Sequence, residues 1–168
     1  MKKIATIGYE GASLSDFIAT LMLAGIQRIV DVREVAQSRR PGFSKTALRN
    51  ALAEVGIDYH HVRQLGDPKH GREAARAGNM DLFRAIFTAH LELPASRSAL
   101  DEAIILVSEK SSALLCYERN PQDCHRAIVA QHMTAISPFQ ITNLGVQPRS
   151  LIGVGGNART ATGYAGAC

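Results

Sequence analysis

The stretch Ala113–Ile136, ALLCYERNPQDCHRAIVAQHMTAI, decides the fold class. It opens on a short apolar run (Ala113–Glu118), crosses a polar turn and closes on a helical pattern (Cys124–Ile136). A short run that is apolar throughout, without alternation, reads as a strand buried on both faces, as in a parallel sheet. Asn120, Pro121 and Asp123 supply helix-start chemistry: side chains that cap free N–H groups, and a proline whose missing N–H is harmless in a first turn. Strand, turn and helix together make one βα unit.

The same alternation extends in both directions. Lys3–Gly8, Arg28–Arg33, Asp58–Val62 and Phe139–Leu144 read as further strands. Ser13–Gly25 reads as a helix, with Ser13 as cap, Asp16 in the capping-box position and Gly25 at the left-handed stop. Ser44–Gly56 places Leu48, Leu52 and Val55 on one helical face, and Met80–Leu93 does the same with Phe83, Ile86, Phe87 and Leu91. Ser96–Lys110 is another helix. Between them Arg63–Asn79 reads as a long polar connection, a length that marks functional or disordered loops. The order β-α-β-α-β-α-α-β-α-β predicts a single three-layer α/β domain over residues 1–144, a mainly parallel sheet of about five strands with helices on both faces. From Gly145 to Cys168 periodicity stops and Gly, Ala and Thr dominate, so this end is expected to be a weakly ordered tail. Its GVGGNA lacks the following helix that a phosphate loop needs.

Composition narrows the class. At 168 residues the chain suits one domain with a substantial core. It is 46% hydrophobic and 20% charged, with no apolar run long enough to span a membrane. The start MKKIATIGYEG lacks the apolar core of a signal peptide, and three cysteines do not make a disulfide framework, so the expected location is the cytoplasm. The net charge of +4 permits an anionic partner without requiring one. Much of the excess sits in Ser38–Arg49, SRRPGFSKTALR, which has four basic residues and no acid.

Parallel sheets bind ligands beyond the carboxyl ends of their strands. Here every polar-rich segment follows a strand: Gly8-Tyr9-Glu10-Gly11, then Asp31-Val32-Arg33 with the basic loop, then Tyr117-Glu118-Arg119 leading to Cys124-His125-Arg126. The turns at the opposite edge are plain. Each candidate has a bland alternative. The glycines around Tyr9 and Glu10 make a tight turn; Asp31 and Arg33 form a structural ion pair; Cys116, inside its strand, is a small hydrophobe; and at least one of Tyr59, His60 and His61 is a satisfied structural group. Cys124 stands apart because a helix start stabilises a thiolate, aided by Arg126 and by His125 when charged and opposed by Asp123. Metal binding is not expected: Cys116, Cys124 and His125 are soft donors, but their spacing matches no zinc pattern. The same helix start, with Arg126, Arg33 and the Arg39-Arg40 loop, is equally suited to holding an anion.

TIGYEG (Thr6–Gly11), DVR followed by SRRPGFSK, GIDYHHVRQLGDP (Gly56–Pro68), and LLCYE with CHR (Cys124–Arg126) resemble, in that order, the signature segments of the domain of unknown function 488 family. The resemblance covers roughly Lys3 to Leu144. It implies a single small α/β domain and supplies no activity. It also adds Tyr9, Ser38, Phe43 and Cys116 to the positions of interest. The chain departs from the family at Val35-Ala36, where a proline is common, and in its tail after Gln147.

These observations yield three readings. The first is a small enzyme that binds a nucleotide- or phosphate-like anion at the strand ends. Cys124 is its nucleophile, beside His125, and Glu118, Glu10 or Asp31 is the base. Arg33, Arg126, Arg40, Ser38 and Tyr9 hold the anion, and no cofactor or metal is called for. The second is a nucleic-acid-binding or regulatory module that uses Arg39–Lys45 and Arg63–Arg76. Scarce aromatics and the absence of helix-turn-helix or zinc-finger spacing count against it. The third is a structural domain whose polar strand ends bond only to one another. The sequence sets no oligomeric state.

Overall fold

The computed structural model describes residues 2–148. The glycine-rich stretch GVGGNA, Cys168 and most of the expected tail lie outside them.

Among the described residues five strands form one sheet: β1 (Lys2–Gly8), β2 (Arg28–Asp31), β3 (Asp58–His61), β4 (Ser112–Cys116) and β5 (Phe139–Leu144), in the spatial order β3-β2-β4-β1-β5. Every pairing among them is parallel. Among the described residues six α-helices connect the strands: α1 (Leu14–Leu23), α2 (Lys45–Glu54), α3 (Lys69–Arg76), α4 (Met80–Leu91), α5 (Pro94–Glu109) and α6 (His125–Ile136).

Side chains alternate across the sheet because successive strand residues point to opposite faces. Ala5, Ile7, Ile29, Ala113 and Leu115 pack against Phe17 and Leu21 of α1 and Leu48 and Leu52 of α2. Ile4, Val30 and Leu114 face the other way, onto Phe87 of α4, Ala103 of α5 and Val129 and Met133 of α6. The sheet is therefore covered on both sides, which is why its central strands lack polar alternation. Helix starts follow the expected chemistry. Ser13 caps α1 by accepting from the Asp16 N–H at 3.1 Å, and Gly25 stops it at φ +65°.

Two local expectations are corrected. Arg63–Asn79 is not a structureless loop: it contains a 3₁₀ turn, Arg63–Leu65, and the helix α3. The pattern was hidden because α3 is strongly polar and buries only Gly71 and Ala74, so no large apolar residue marks its inner face. The second strand ends at Asp31 rather than Arg33, although the Val32 N–H still reaches the Leu115 carbonyl at 3.1 Å. No helix among the described residues is long and apolar enough to cross a membrane.

Connections leaving β1 and β4 go to opposite faces, α1 on one and α6 on the other. Neighbouring strands with diverging connections open a crevice at their carboxyl ends. That crevice holds the candidate site.

Candidate functional site

Strands β1 and β4 end side by side, with Gly8 level with Cys116. A β-carbon on Gly8 would stand 1.8 Å from the Glu118 carbonyl oxygen, so only glycine lets the two strand ends approach this closely. The Glu10 N–H donates to the Tyr117 carbonyl at 2.8 Å, and the Glu10 carboxylate accepts from the Arg119 N–H at 2.9 Å. Arg126 completes the clamp from below. Its guanidinium donates to the carbonyls of Glu118 (2.5 Å) and Arg119 (3.1 Å) and to Thr6 Oγ1 (3.2 Å).

The polar turn places four reactive side chains together. After β4, a 3₁₀ turn (Pro121–Asp123) capped by Asn120 brings the chain round to Cys124. Cys124 is itself the N-cap of α6, and its sulfur accepts from the Arg126 N–H at 3.5 Å. The Cys116 thiol donates to Glu118 Oε2 at 3.0 Å. His125 Nδ1 lies 3.5 Å from the Cys116 sulfur and 3.9 Å from the Cys124 sulfur. The other ring nitrogen, Nε2, is 4.0 Å from the Cys116 sulfur and meets the Val32 carbonyl at 2.7 Å. A carbonyl only accepts, so Nε2 carries the proton.

Burial and mutual charge set the protonation of this group. Burial opposes ionisation of Cys124, but Cys116, His125 and Arg126 outweigh it and hold the Cys124 thiol well below its ordinary range. Burial pushes the Cys116 thiol up, and the Cys124 thiolate adds to that. Burial would lower His125; the Cys124 thiolate and the Val32 carbonyl override it and raise the imidazole to about 9. Glu118 is raised to about 7, first by burial and then by the Cys124 thiolate. A thiolate–imidazolium pair, Cys124 and His125, therefore stands next to a thiol and a carboxyl that titrates near neutrality.

Above this group opens a hollow of about 680 Å³. Cys116, Glu118 and His125 line its floor, and Arg33, Arg39, Arg40, Arg72 and Arg76 contribute to its walls. Tyr9 and Ser38 also face it, with Glu34, Asp67 and Asp123 as its acids besides Glu118. Arg72 is tied to Glu34 and to the Asp67 carbonyl, whereas Arg39 and Arg76 are exposed. Asp67 Oδ1 is buried without a hydrogen-bond partner among the described residues. Burial raises Asp67 to about 6, against the opposing pull of His125 and Arg72.

Residues 13–133 match the family model described as Domain of unknown function DUF488. The chain belongs to that family. Comparison with curated proteins and with solved structures finds no match.

Of the residues singled out in this DUF488 chain, the fold gathers Glu118, His125, Arg33, Arg40, Ser38 and Tyr9 around one hollow. Cys124 and Arg126 stand directly behind the floor, 2% and 1% exposed, and do not line it. The sulfur that faces the hollow is Cys116, the strand residue read as a small hydrophobe. Asp31 does not line the hollow either. It is fully buried and accepts from Arg33 Nη2 (2.6 Å), Arg33 Nε (2.9 and 3.0 Å) and the Tyr59 hydroxyl (2.5 Å). Burial opposes the Arg33 charge, but Asp31 and then Tyr9 raise its pKa above the ordinary guanidinium value. Tyr9 Oη accepts from Arg33 Nη1 at 3.0 Å, and the Tyr9 ring stacks on Phe43 at 4.4 Å. Arg40 spends its Nε on the Ala12 carbonyl at 2.8 Å. Glu10 is exposed and outside the hollow. The spacing of Cys116, Cys124 and His125 gave no reason to expect a metal, yet the turn brings their ligand atoms within 4.8 Å of one another. Sequence reasoning reached Asp67, Arg72 and Arg76 only as part of the Arg63–Arg76 connection of the nucleic-acid reading and did not single them out as residues of this hollow; the one available signal was the length and polarity of that connection.

Proposed function

We propose that this DUF488 protein is a small enzyme that binds an anionic, nucleotide- or phosphate-like molecule in the strand-end hollow and attacks it with a cysteine. One observation carries the reading: a sulfur, an imidazole and a carboxyl share the floor of a cavity whose rim bears exposed arginines. The volume of about 680 Å³ falls within the range of small-molecule sites, roughly 300–1,000 Å³. A concave arrangement of guanidinium groups suits a compact anion better than it suits an extended nucleic-acid backbone.

In this reading the attacking sulfur is Cys116, which lines the hollow, in place of Cys124, which does not. As the Cys116 sulfur bonds to an electrophilic atom of the ligand, its proton passes to Glu118 Oε2, already 3.0 Å away. The bond to the leaving group breaks, and the leaving group takes the proton back from Glu118. The buried His125 charge, fixed by Val32, offsets the negative charge that builds up beside it. Arg39, Arg40 and Arg76 hold the anionic part of the ligand.

The test is alkylation with iodoacetamide, mapped by peptide mass spectrometry, with and without inorganic phosphate or a nucleoside monophosphate. Cys116 should be modified ahead of Cys124 in spite of its raised pKa, because it lines the hollow and Glu118 takes its proton, and the anion should slow the reaction. Equal labelling of the two sulfurs, or labelling that no anion affects, would overturn the reading.

A further inference from the structure

We propose that Cys116, Cys124 and His125 form a binding site for a thiophilic divalent cation, zinc foremost, with its fourth position open to the hollow. The inference stands on the positions of three donor atoms and does not need the covalent reading.

The distances fit. Tetrahedral zinc bonds thiolate sulfur at about 2.3 Å and imidazole nitrogen at about 2.0–2.1 Å. Those lengths put neighbouring sulfur and nitrogen ligands about 3.5 Å apart and two sulfurs about 3.8 Å apart. His125 Nδ1 is 3.5 Å from the Cys116 sulfur and 3.9 Å from the Cys124 sulfur. All three ligand atoms lie within 4.8 Å of one another, and the Cys116 sulfur is also 4.0 Å from Nε2, so the sulfurs close in by up to about 1 Å to complete three edges of a tetrahedron.

The ring is also correctly presented. Metal-binding histidines characteristically donate their second N–H to a carbonyl or carboxylate, which fixes the tautomer and aims the ligating lone pair. Val32 does this at 2.7 Å through Nε2, which leaves Nδ1, the nitrogen closer to the Cys116 sulfur (3.5 Å against 4.0 Å) and 3.9 Å from the Cys124 sulfur, free to ligate. The Phe87 ring, edge-on at 5.2 Å, restricts the imidazole further.

Charge and access agree with this. Two thiolates and a neutral imidazole carry a charge that a divalent ion cancels, which suits sulfurs only 3% and 2% exposed. Cys116 and His125 line the hollow while Cys124 stands behind them, so the vacant ligand position faces the cavity. Three protein ligands and an open position characterise a reactive rather than a purely structural zinc site. Glu118 Oε2 lies 3.0 Å from the Cys116 sulfur, beside the three ligands. A bound ion occupies the Cys116 lone pair, so metal binding and attack by that sulfur exclude each other in one molecule. Zinc would accordingly hold the thiol chemistry off until it is removed.

The test uses the whole chain, stripped with a chelator under reducing conditions, and then titrated with Zn²⁺ against a chromophoric competitor and separately with Co²⁺. The expected result is one tight equivalent of zinc and a cobalt spectrum with sulfur charge-transfer and intense tetrahedral bands. Cys116→Ser, Cys124→Ser and His125→Asn should each weaken zinc by about 100-fold or more, while Cys168→Ser and Glu118→Gln should stay within a few-fold of the parent. If a cysteine variant does not fold, as judged by circular dichroism, the cobalt spectrum of the parent chain decides. A parent spectrum without sulfur charge transfer, or folded Cys116→Ser and Cys124→Ser variants that keep full zinc affinity, would overturn the proposal. Neither alkylation nor an anion enters these measurements, so their failure leaves the enzyme reading standing, and failure of the enzyme reading leaves this one standing.

Discussion

Replacing Asp31 with asparagine tests whether the charges at the end of β2 serve the fold or a ligand. Asparagine keeps the shape of the side chain and opens no cavity, so the change isolates the charge. Asp31 is wholly buried and Arg33 is 5% exposed. The carboxylate accepts from the Arg33 guanidinium at 2.6–3.0 Å, from the Arg33 N–H at 3.1 Å and from Tyr59 at 2.5 Å. Neutralising it strands a guanidinium away from water, and breaking a buried pair in this way costs about 3–5 kcal/mol. Against a total stability of about 5–15 kcal/mol, that is a large fraction. For a chain of this size it lowers Tm by roughly 6–20 °C, at about 2–4 °C per kcal/mol. The assay is urea unfolding of Asp31→Asn, Arg33→Met and the double variant, each followed to equilibrium. Both single variants should lose about 3–5 kcal/mol, because each leaves one buried charge unpartnered. The double variant should be more stable than the sum of the two by roughly 2 kcal/mol, the coupling expected of residues in direct contact. Single losses below about 1 kcal/mol, adding without coupling, would refute the argument and return Arg33 to the anion-binding set.

Other outcomes follow from the same geometry. Asp67 is raised from 3.8 to about 6 by burial, so the folded protein holds that proton more tightly than the unfolded chain and loses stability as pH rises from about 4 to 6. Asp67→Asn should therefore match the parent near pH 4 and exceed it by up to about 3 kcal/mol above pH 6, read from urea unfolding across that range; a difference that does not vary with pH would contradict this. Gly8→Ala forces a β-carbon to within 1.8 Å of the Glu118 carbonyl, and should cost about 1–3 kcal/mol and shift the Cys116 and Glu118 amide resonances; unchanged spectra would mean that the strand ends are not so closely packed. Arg39→Gln and Arg76→Gln remove exposed rim charges and should leave stability within about 0.5 kcal/mol, while together lowering the protection that inorganic phosphate gives Cys116 by severalfold in the alkylation assay.

Most of the fold was legible because it rests on local chemistry. The apolar runs at Lys3–Gly8 and Ala113–Glu118 mark buried strands whatever their neighbours, since strands covered on both faces carry no polar alternation. Ser13 and Gly25 bound their helix through the side chain's hydrogen bond and the backbone's left-handed turn, both set within a few residues. The helix Lys69–Arg76 was not legible, because its buried stripe consists of one glycine and one alanine.

The sequence by itself determined which residue types would collect at the carboxyl rim of the sheet, because a parallel sheet directs every strand end to the same edge. Only the tertiary structure decided how they are divided. A strand residue's side chain takes one face or the other according to register, and so Cys116 looks into the hollow. Cys124, at the start of α6, sits behind it. The pairing of Arg33 with Asp31 and of Arg126 with two backbone carbonyls likewise depends on atoms supplied by separate segments. A linear sequence specifies the donors and acceptors, but burial decides which of them must satisfy one another and which stay free for a ligand.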